Sequence, residues 1–348
     1  MSPTIDRRLL RKLPKADLHC QLDGSVLAET LLELGREYGQ TMPRGDADAL
    51  RAHMRVSDAH NLEEYLERFT VTLSVMQTAA ALERIAYELA VDAAADGVRY
   101  IEVRYSPILN VRHGLALSDA VEAPLRGLAR AQQELGVVGR VIVCAIRSMS
   151  ADVSLELAEL AVAFRKDGVV GFDLAGGEAG HPAVLHAHAF AHARTHDLAC
   201  TCHAGEGDGP ESVRQALHNC CANRIGHGTR IFEDPALLDY VNDHRVPIEI
   251  CLTSNVQTRA AASYAEHPLR MYYDRGMNVV LNTDNRLMSG TTLTEEYEHA
   301  ARALDFSFDE LARLALNGFE SAFLPHDERR ALVAAAERDL AALKRGDA

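Results

Sequence analysis

The sequence lacks any apolar run approaching the roughly 18 residues that a membrane-spanning helix needs. Its first residues, MSPTIDRRLLRKLPK, are basic but have no apolar core and no small-residue cleavage site, so they do not read as a secretory signal. Positive charge is in deficit. Lys and Arg number 36 against 50 Asp and Glu, a formal net charge of −14. A chain so charged repels phosphate at long range, which argues against a nucleic acid or an anionic membrane as partner and leaves a small neutral molecule open. The seven cysteines are an odd count without repeated CxxC spacing, so neither a disulfide framework nor a cysteine zinc cluster is indicated. The expectation is buried, reduced thiols in a cytoplasmic protein. Low-complexity segments, internal repeats and obvious linkers are also missing. No strand-like run leads into a GxGxxG turn that opens a helix, which removes the fingerprint of a dinucleotide-binding sheet.

What is present is a regular alternation. The 348 residues, 47% of them hydrophobic, can bury a sizeable core, as two domains or as one α/β barrel. Short apolar or β-branched runs occur at residues 15–24, 98–107, 139–147, 169–178, 199–207, 223–229, 246–255 and 278–285. Helical periodicity fills most gaps, at 117–133, 154–165, 183–196, 235–243 and 295–304. Strands alternating with helices imply parallel pairing with right-handed crossovers, and eight such units predict an α/β fold of the (β/α)8 TIM-barrel type. Residues 25–97 separate the first two strands and hold helical stretches at 27–38, 46–54 and 62–72. An insertion there sits over the C-terminal face of a barrel, so the expectation is one domain over 1–348 with an embedded helical lid at 25–97.

The polar residues fall at strand ends. The first strand offers His19, Gln21 and Asp23 on one face, the fifth His203 and Glu206, the sixth His227, the eighth Asp284 and Asn285. In a parallel barrel these ends converge on one mouth, where three histidines and two acids make a catalytic metal site rather than a core. Singly, each has a plainer reading: His19 as a bonded core histidine, Glu206 as a helix cap, His227 as a turn residue, Asp284 as an Asx turn. Their convergence favours His203, His19 and Asp284 on a metal, Glu206 as a general acid and His227 in catalysis. Four further histidines, His186, His188, His192 and His196, fall on a predicted helix; with HEXXH absent they read as a solvated face.

These residues lie in blocks that resemble the adenosine deaminase family of the amidohydrolase barrels: PKADLHCQLDGS, YIEVRYSP, VVGFDLAGGE, HAGEG, RIGHGTR, CLTSN and NTDN, in the family's order between residues 14 and 285. The resemblance implies hydrolytic deamination of adenosine or deoxyadenosine to inosine or deoxyinosine and ammonia by a metal-bound hydroxide. It implies one divalent cofactor, Zn2+, held by His19, His203 and Asp284. Glu206 resembles the acid that protonates purine N1, and His227 the group that orients and deprotonates the bound water. Gly176 resembles the glycine whose N–H meets the purine ring, Asp23 the acceptor of the ribose 5′-hydroxyl, and Asn285 the contact to purine N7. The partner so implied is a small purine nucleoside.

Two positions depart from the family pattern. Its first motif is HxH, and here it reads His19-Cys20-Gln21. Gln21 offers only a neutral amide oxygen, a poorer zinc donor than imidazole, and is a weak fourth position; Cys20 lies on the opposite strand face. Where many members carry Asp-Asp, this chain has Asp284-Asn285. Purine N7 is an acceptor and Asn always carries N–H groups, so Asn285 suits a purine. Two other functions stand beside the first: a deaminase of adenine, an N6-modified adenosine or an aminofutalosine-type nucleoside, and a metal-deficient barrel that binds a nucleoside without turning it over.

Overall fold

The computed structural model describes residues 5–56 and 68–345. Eight parallel strands follow one another in chain order: β1 (Lys15–Gln21), β2 (Val98–Tyr105), β3 (Val138–Ile146), β4 (Val169–Ala175), β5 (Ala199–Ala204), β6 (Arg224–His227), β7 (Ile248–Ile250) and β8 (Val279–Leu281). Each pairs with the next, and the ring is joined where Cys20 bridges Asp284. There Gln21 donates its N–H to the Asp284 carbonyl at 2.7 Å, and Asp284 donates to that of His19 at 2.8 Å. The fold is the (β/α)8 TIM barrel that the alternation predicts.

The helices form where the local chemistry asks for them. Leu117–Leu135 buries Ala120, Val121, Pro124, Leu128 and Ala131 along one stripe and stops at Gly136, whose φ is 76°. Pro235–Asp243 starts on a proline with Asp234 accepting the N–H groups of Ala236 and Leu237, and its bounds are those expected. Leu293–Ala303 opens with a capping box made by Thr292 and Glu295.

Several expectations are corrected. All the strands but β3 are shorter than their apolar runs; the ladder still carries His19, Gln21, His203 and His227, while Asp23, Glu206, Asp284 and Asn285 lie beyond it. After β7 the chain becomes the helix Leu252–Gln257, so CLTSN is largely helical rather than extended. The first part of the helix expected at 62–72 lies outside the described residues; Phe69–Leu73 is helical. The insertion after β1 contains Ala28–Tyr38 and Ala47–Met54 as expected. Its last helix, Ala79–Ala95, packs instead against β2 and Leu117–Leu135, burying Leu82, Ile85, Ala86 and Leu89. That helix belongs to the outer ring. The histidine-rich stretch splits into a turn at Ala183–His186 and the helix Ala187–Thr195. His188 and His196 are exposed, but His186 is buried between Ser154 Oγ at 2.7 Å and the Arg147 carbonyl at 3.2 Å. All seven cysteines are free thiols, six of them buried. No helix among the described residues is long and apolar enough to cross a membrane.

Charge fills the barrel interior. Glu249 on β7 accepts from Arg104 Nη2 of β2 at 2.9 Å and from Arg224 Nε of β6 at 2.6 Å. Arg104 Nη1 also reaches Asp173 of β4 at 3.1 Å, and Arg224 Nη2 bonds Glu102 of β2. All five side chains are buried. Buried charge costs several kcal/mol per ion unless it is paired and hydrogen-bonded, and here every carboxylate meets a guanidinium.

Candidate active site

The residues singled out at the strand ends meet at the C-terminal mouth of the barrel. His19 and Gln21 sit on β1, with Asp23 two residues beyond it. His203 sits on β5 with Glu206 past its end, and His227 is the last residue of β6. Gly176 follows β4, while Asp284 and Asn285 lie in the turn after β8. A cavity of about 240 Å³ is lined by Gln21, Asp23, Gly176, His203, Glu206, His227, Asp284 and Asn285. Phe69, Thr70 and Leu73 of the segment after β1 form another part of its wall. A small cleft with a few convergent polar groups suits a small molecule rather than a polymer.

Three imidazoles crowd one side. A ring nitrogen from each of His19, His203 and His227 lies within 4.8 Å of the others. His19 Nδ1 contacts Glu249 at 3.0 Å, and its Nε2 is buried without a hydrogen-bond partner, 3.6 Å from Asp284 Oδ1. His203 Nδ1 contacts Asp173 at 3.0–3.2 Å, leaving Nε2 toward the cavity. Backing one imidazole nitrogen with a carboxylate fixes the tautomer and makes the other a strong donor to a metal. Burial opposes ionisation of Asp173 and Glu249, yet His203 and Arg104 hold the first, and Arg104 and Arg224 the second, below the usual carboxylate range. The charged floor of the barrel thus carries the histidines. Gln21 does face this space, its Nε2 being 3.2 Å from His203 Nε2. The donor set of two carboxylate-backed imidazoles, one of them with its inward nitrogen unpartnered, and one aspartate fits a divalent ion such as zinc.

The other side holds Glu206, Asp23, Gly176 and Asn285. Glu206 Oε1 accepts from Thr258 Oγ1 at 3.0 Å, and Oε2 lies 3.4 Å from His227 Nε2. The loop carrying Glu206 is clamped by buried Glu178, whose carboxylate accepts the backbone N–H groups of Gly205, Glu206, Gly207 and Asp208 at 2.7–3.1 Å. Asp23 Oδ1 and Asn285 Oδ1 are buried without partners, and burial pushes the Asp23 carboxyl up to about 7. Gly24 lets Asn285 approach: a Cβ there would lie 1.6 Å from Asn285 Oδ1. Gly176 adopts φ 96°, a conformation that leaves its backbone at the cavity edge and that side chains rarely adopt. His227 and Asp284 take similar values, 63° and 56°, without being glycine. Such strain persists only where surrounding contacts hold it.

Sequence reasoning missed the supporting groups. Glu178 lies in VVGFDLAGGE, where nothing in the sequence marks it as a clamp. Arg104, Asp173 and Asn255 lie in YIEVRYSP, VVGFDLAGGE and CLTSN, and Glu249, Thr258 and His267 outside these blocks; none signals a role, because the contacts that give it one form only in the fold.

Residues 14–338 match the adenosine deaminase family model. An adenosine deaminase from Mycobacterium bovis is 42% identical over 95% of both chains. Among solved structures, an adenine deaminase from Arthrobacter aurescens superposes with a TM-score of 0.87 at 28% identity, covering 93% of this chain and 98% of its own. An amidohydrolase from Burkholderia ambifaria with bound Zn gives 0.87 at 26%, covering 98% of this chain and 95% of its own. From strand order to sequence identity the observations agree, and the chain belongs to the adenosine deaminase family.

Proposed function

We propose that the protein hydrolyses the 6-amino group of adenosine or deoxyadenosine, releasing ammonia and inosine or deoxyinosine. The observation that carries this reading is the meeting, in one cavity, of a metal-competent histidine cluster, a buried glutamate, a buried Asp23 with an oxygen left unpaired, and the amide of Asn285. His19, His203 and Asp284 would hold one divalent ion, zinc by the donor types, with Gln21 bordering it as a weak fourth donor. When bound, that ion lowers the pKa of a water to about 7 and so supplies a nucleophile at neutral pH.

The chain's own residues do the rest. Glu206 delivers a proton to purine N1, which drains electron density from C6 as the water oxygen adds there. His227 holds that oxygen by a hydrogen bond. Proton transfer to the amino group then lets ammonia leave and the C6–N bond break. Asn285 donates to N7 through its amide N–H, the Gly176 N–H meets the ring edge, and Asp23 accepts the ribose 5′-hydroxyl. The segment after β1 covers the nucleoside through Phe69, Thr70 and Leu73. Seven cysteines without a disulfide among them suit a cytoplasmic setting.

Asp23 favours the nucleoside over the free base, because adenine would leave its buried oxygen without a partner. The test is kcat/KM for adenosine, deoxyadenosine, N6-methyladenosine and adenine, measured side by side. Faster turnover of the two unmodified nucleosides is expected; preference for adenine or for the N6-methyl compound would overturn the assignment of substrate.

A further inference from the structure

The three imidazoles of the site are backed differently. His19 and His203 turn Nδ1 to the carboxylates of Glu249 and Asp173. An ionised carboxylate only accepts, so both rings carry hydrogen on Nδ1 and point a lone pair inward. His227 turns Nδ1 to Asn255 Nδ2 at 2.9 Å. An amide can face either way, so its orientation is a matter for the wider network.

That network starts from a group with no ambiguity. The backbone N–H of Leu269 donates to His267 Nδ1 at 3.1 Å, so this nitrogen is an acceptor. His267 is buried, and burial pushes its pKa down to about 3, which keeps the ring neutral. Its single hydrogen is therefore on Nε2, which lies 3.1 Å from Asn255 Oδ1. A flipped amide would set two donors against each other, so Asn255 must accept from His267 and donate to His227 Nδ1.

We infer that His267 and Asn255 are positioning residues that fix His227 as the Nε2–H tautomer, opposite in sense to His19 and His203. A nitrogen carrying hydrogen cannot ligate a metal. His227 therefore stands apart from the other two rings although all three lie within 4.8 Å. Taken with the deaminase reading, on which this consequence rests, His227 donates a hydrogen bond to the attacking oxygen and does not take its proton. The proton goes instead to the Glu206 carboxylate, vacant once its own proton is on N1, and is passed from there to the departing amine. Glu206 Oε2 lies 3.4 Å from His227 Nε2, beside that oxygen's place.

The tautomer is read from 15N shifts of labelled histidine in the intact protein. Wild type is expected to show hydrogen on Nε2 of His227 and on Nδ1 of His19 and His203. Asn255→Asp supplies an acceptor to both neighbours and should move the His227 hydrogen to Nδ1, with kcat reduced about 10²–10³-fold, the scale of one lost transition-state donor, and KM changed little. His267→Phe should free the amide and give a mixture of tautomers. Hydrogen on Nδ1 of His227 in wild type overturns the inference without needing either variant, as does an Asn255→Asp protein whose His227 shifts are unchanged. Wild type with the expected tautomer but no deaminase activity would instead sink the functional reading and leave the tautomer assignment standing.

Discussion

The barrel holds two kinds of buried polarity a few ångströms apart. In its interior Arg104, Arg224, Glu102, Asp173 and Glu249 close on one another, and each carboxylate has its guanidinium, with Arg104 Nε left without a partner. At the mouth, His19 Nε2, Asp23 Oδ1 and Asn285 Oδ1 are equally buried and have no hydrogen-bond partner. The difference is one of use. Closed pairs cost little further free energy and hold geometry, whereas an unpartnered buried atom costs about 1–3 kcal/mol and is tolerated where something else completes it. Glu249 joins the two regions, since the carboxylate that anchors both arginines also holds His19.

Breaking the closed region has the largest expected effect. Glu249→Ala takes one charge-assisted hydrogen bond from each of two buried guanidinium groups, which keep Asp173 and Glu102, and at about 1.5–3 kcal/mol per bond is expected to lower unfolding stability by about 3–5 kcal/mol. Urea denaturation measures it; a loss within 1 kcal/mol would mean that the interior network does not behave as buried charge. The open region should respond in activity and not in stability. Glu206→Gln keeps the shape and removes the proton, so kcat is expected to fall about 10²–10⁴-fold at an unchanged denaturation midpoint. Near-wild-type turnover would remove Glu206 from its role.

How much of this contrast can be read from the sequence follows from the same physics. The mouth was legible because alternation fixes which residues share a strand face, and parallel strands bring His19, His203, His227 and Asp284 to one end. The interior was not. Arg104 and Glu249 look like ordinary charges in VRYIEVRYSP and VPIEICLTSN, and only ring closure shows that they meet across 145 positions of chain. His186 was misread for a related reason: helical spacing gives a face but not which side the neighbouring strands cover. The helix Ala79–Ala95 gave no separate signal within the insertion, because periodicity does not say what an element packs on. Gln21 was legible as a departure, and it does face His203.

Smaller effects sharpen the open side. Asp23→Ala should cost about 1.5–3 kcal/mol in kcat/KM for adenosine and nothing comparable for adenine, which has no hydroxyl to offer. Equal losses on both would show that Asp23 does not meet the sugar. Gln21→His replaces an amide by an imidazole against the same cluster and is expected to tighten zinc by about tenfold, ~1.4 kcal/mol. Competition with a chelator reads it, and unchanged affinity would place residue 21 outside the ion's reach.

The central claim is that His19, His203 and Asp284 hold an ion beside the cavity in which Glu206 acts. It is tested most directly by metal content and adenosine deamination measured on one preparation, before chelation, after it, and after zinc is returned. One ion per chain, loss of inosine formation with the ion and its recovery with zinc are expected. Undiminished deamination by the stripped protein would contradict it.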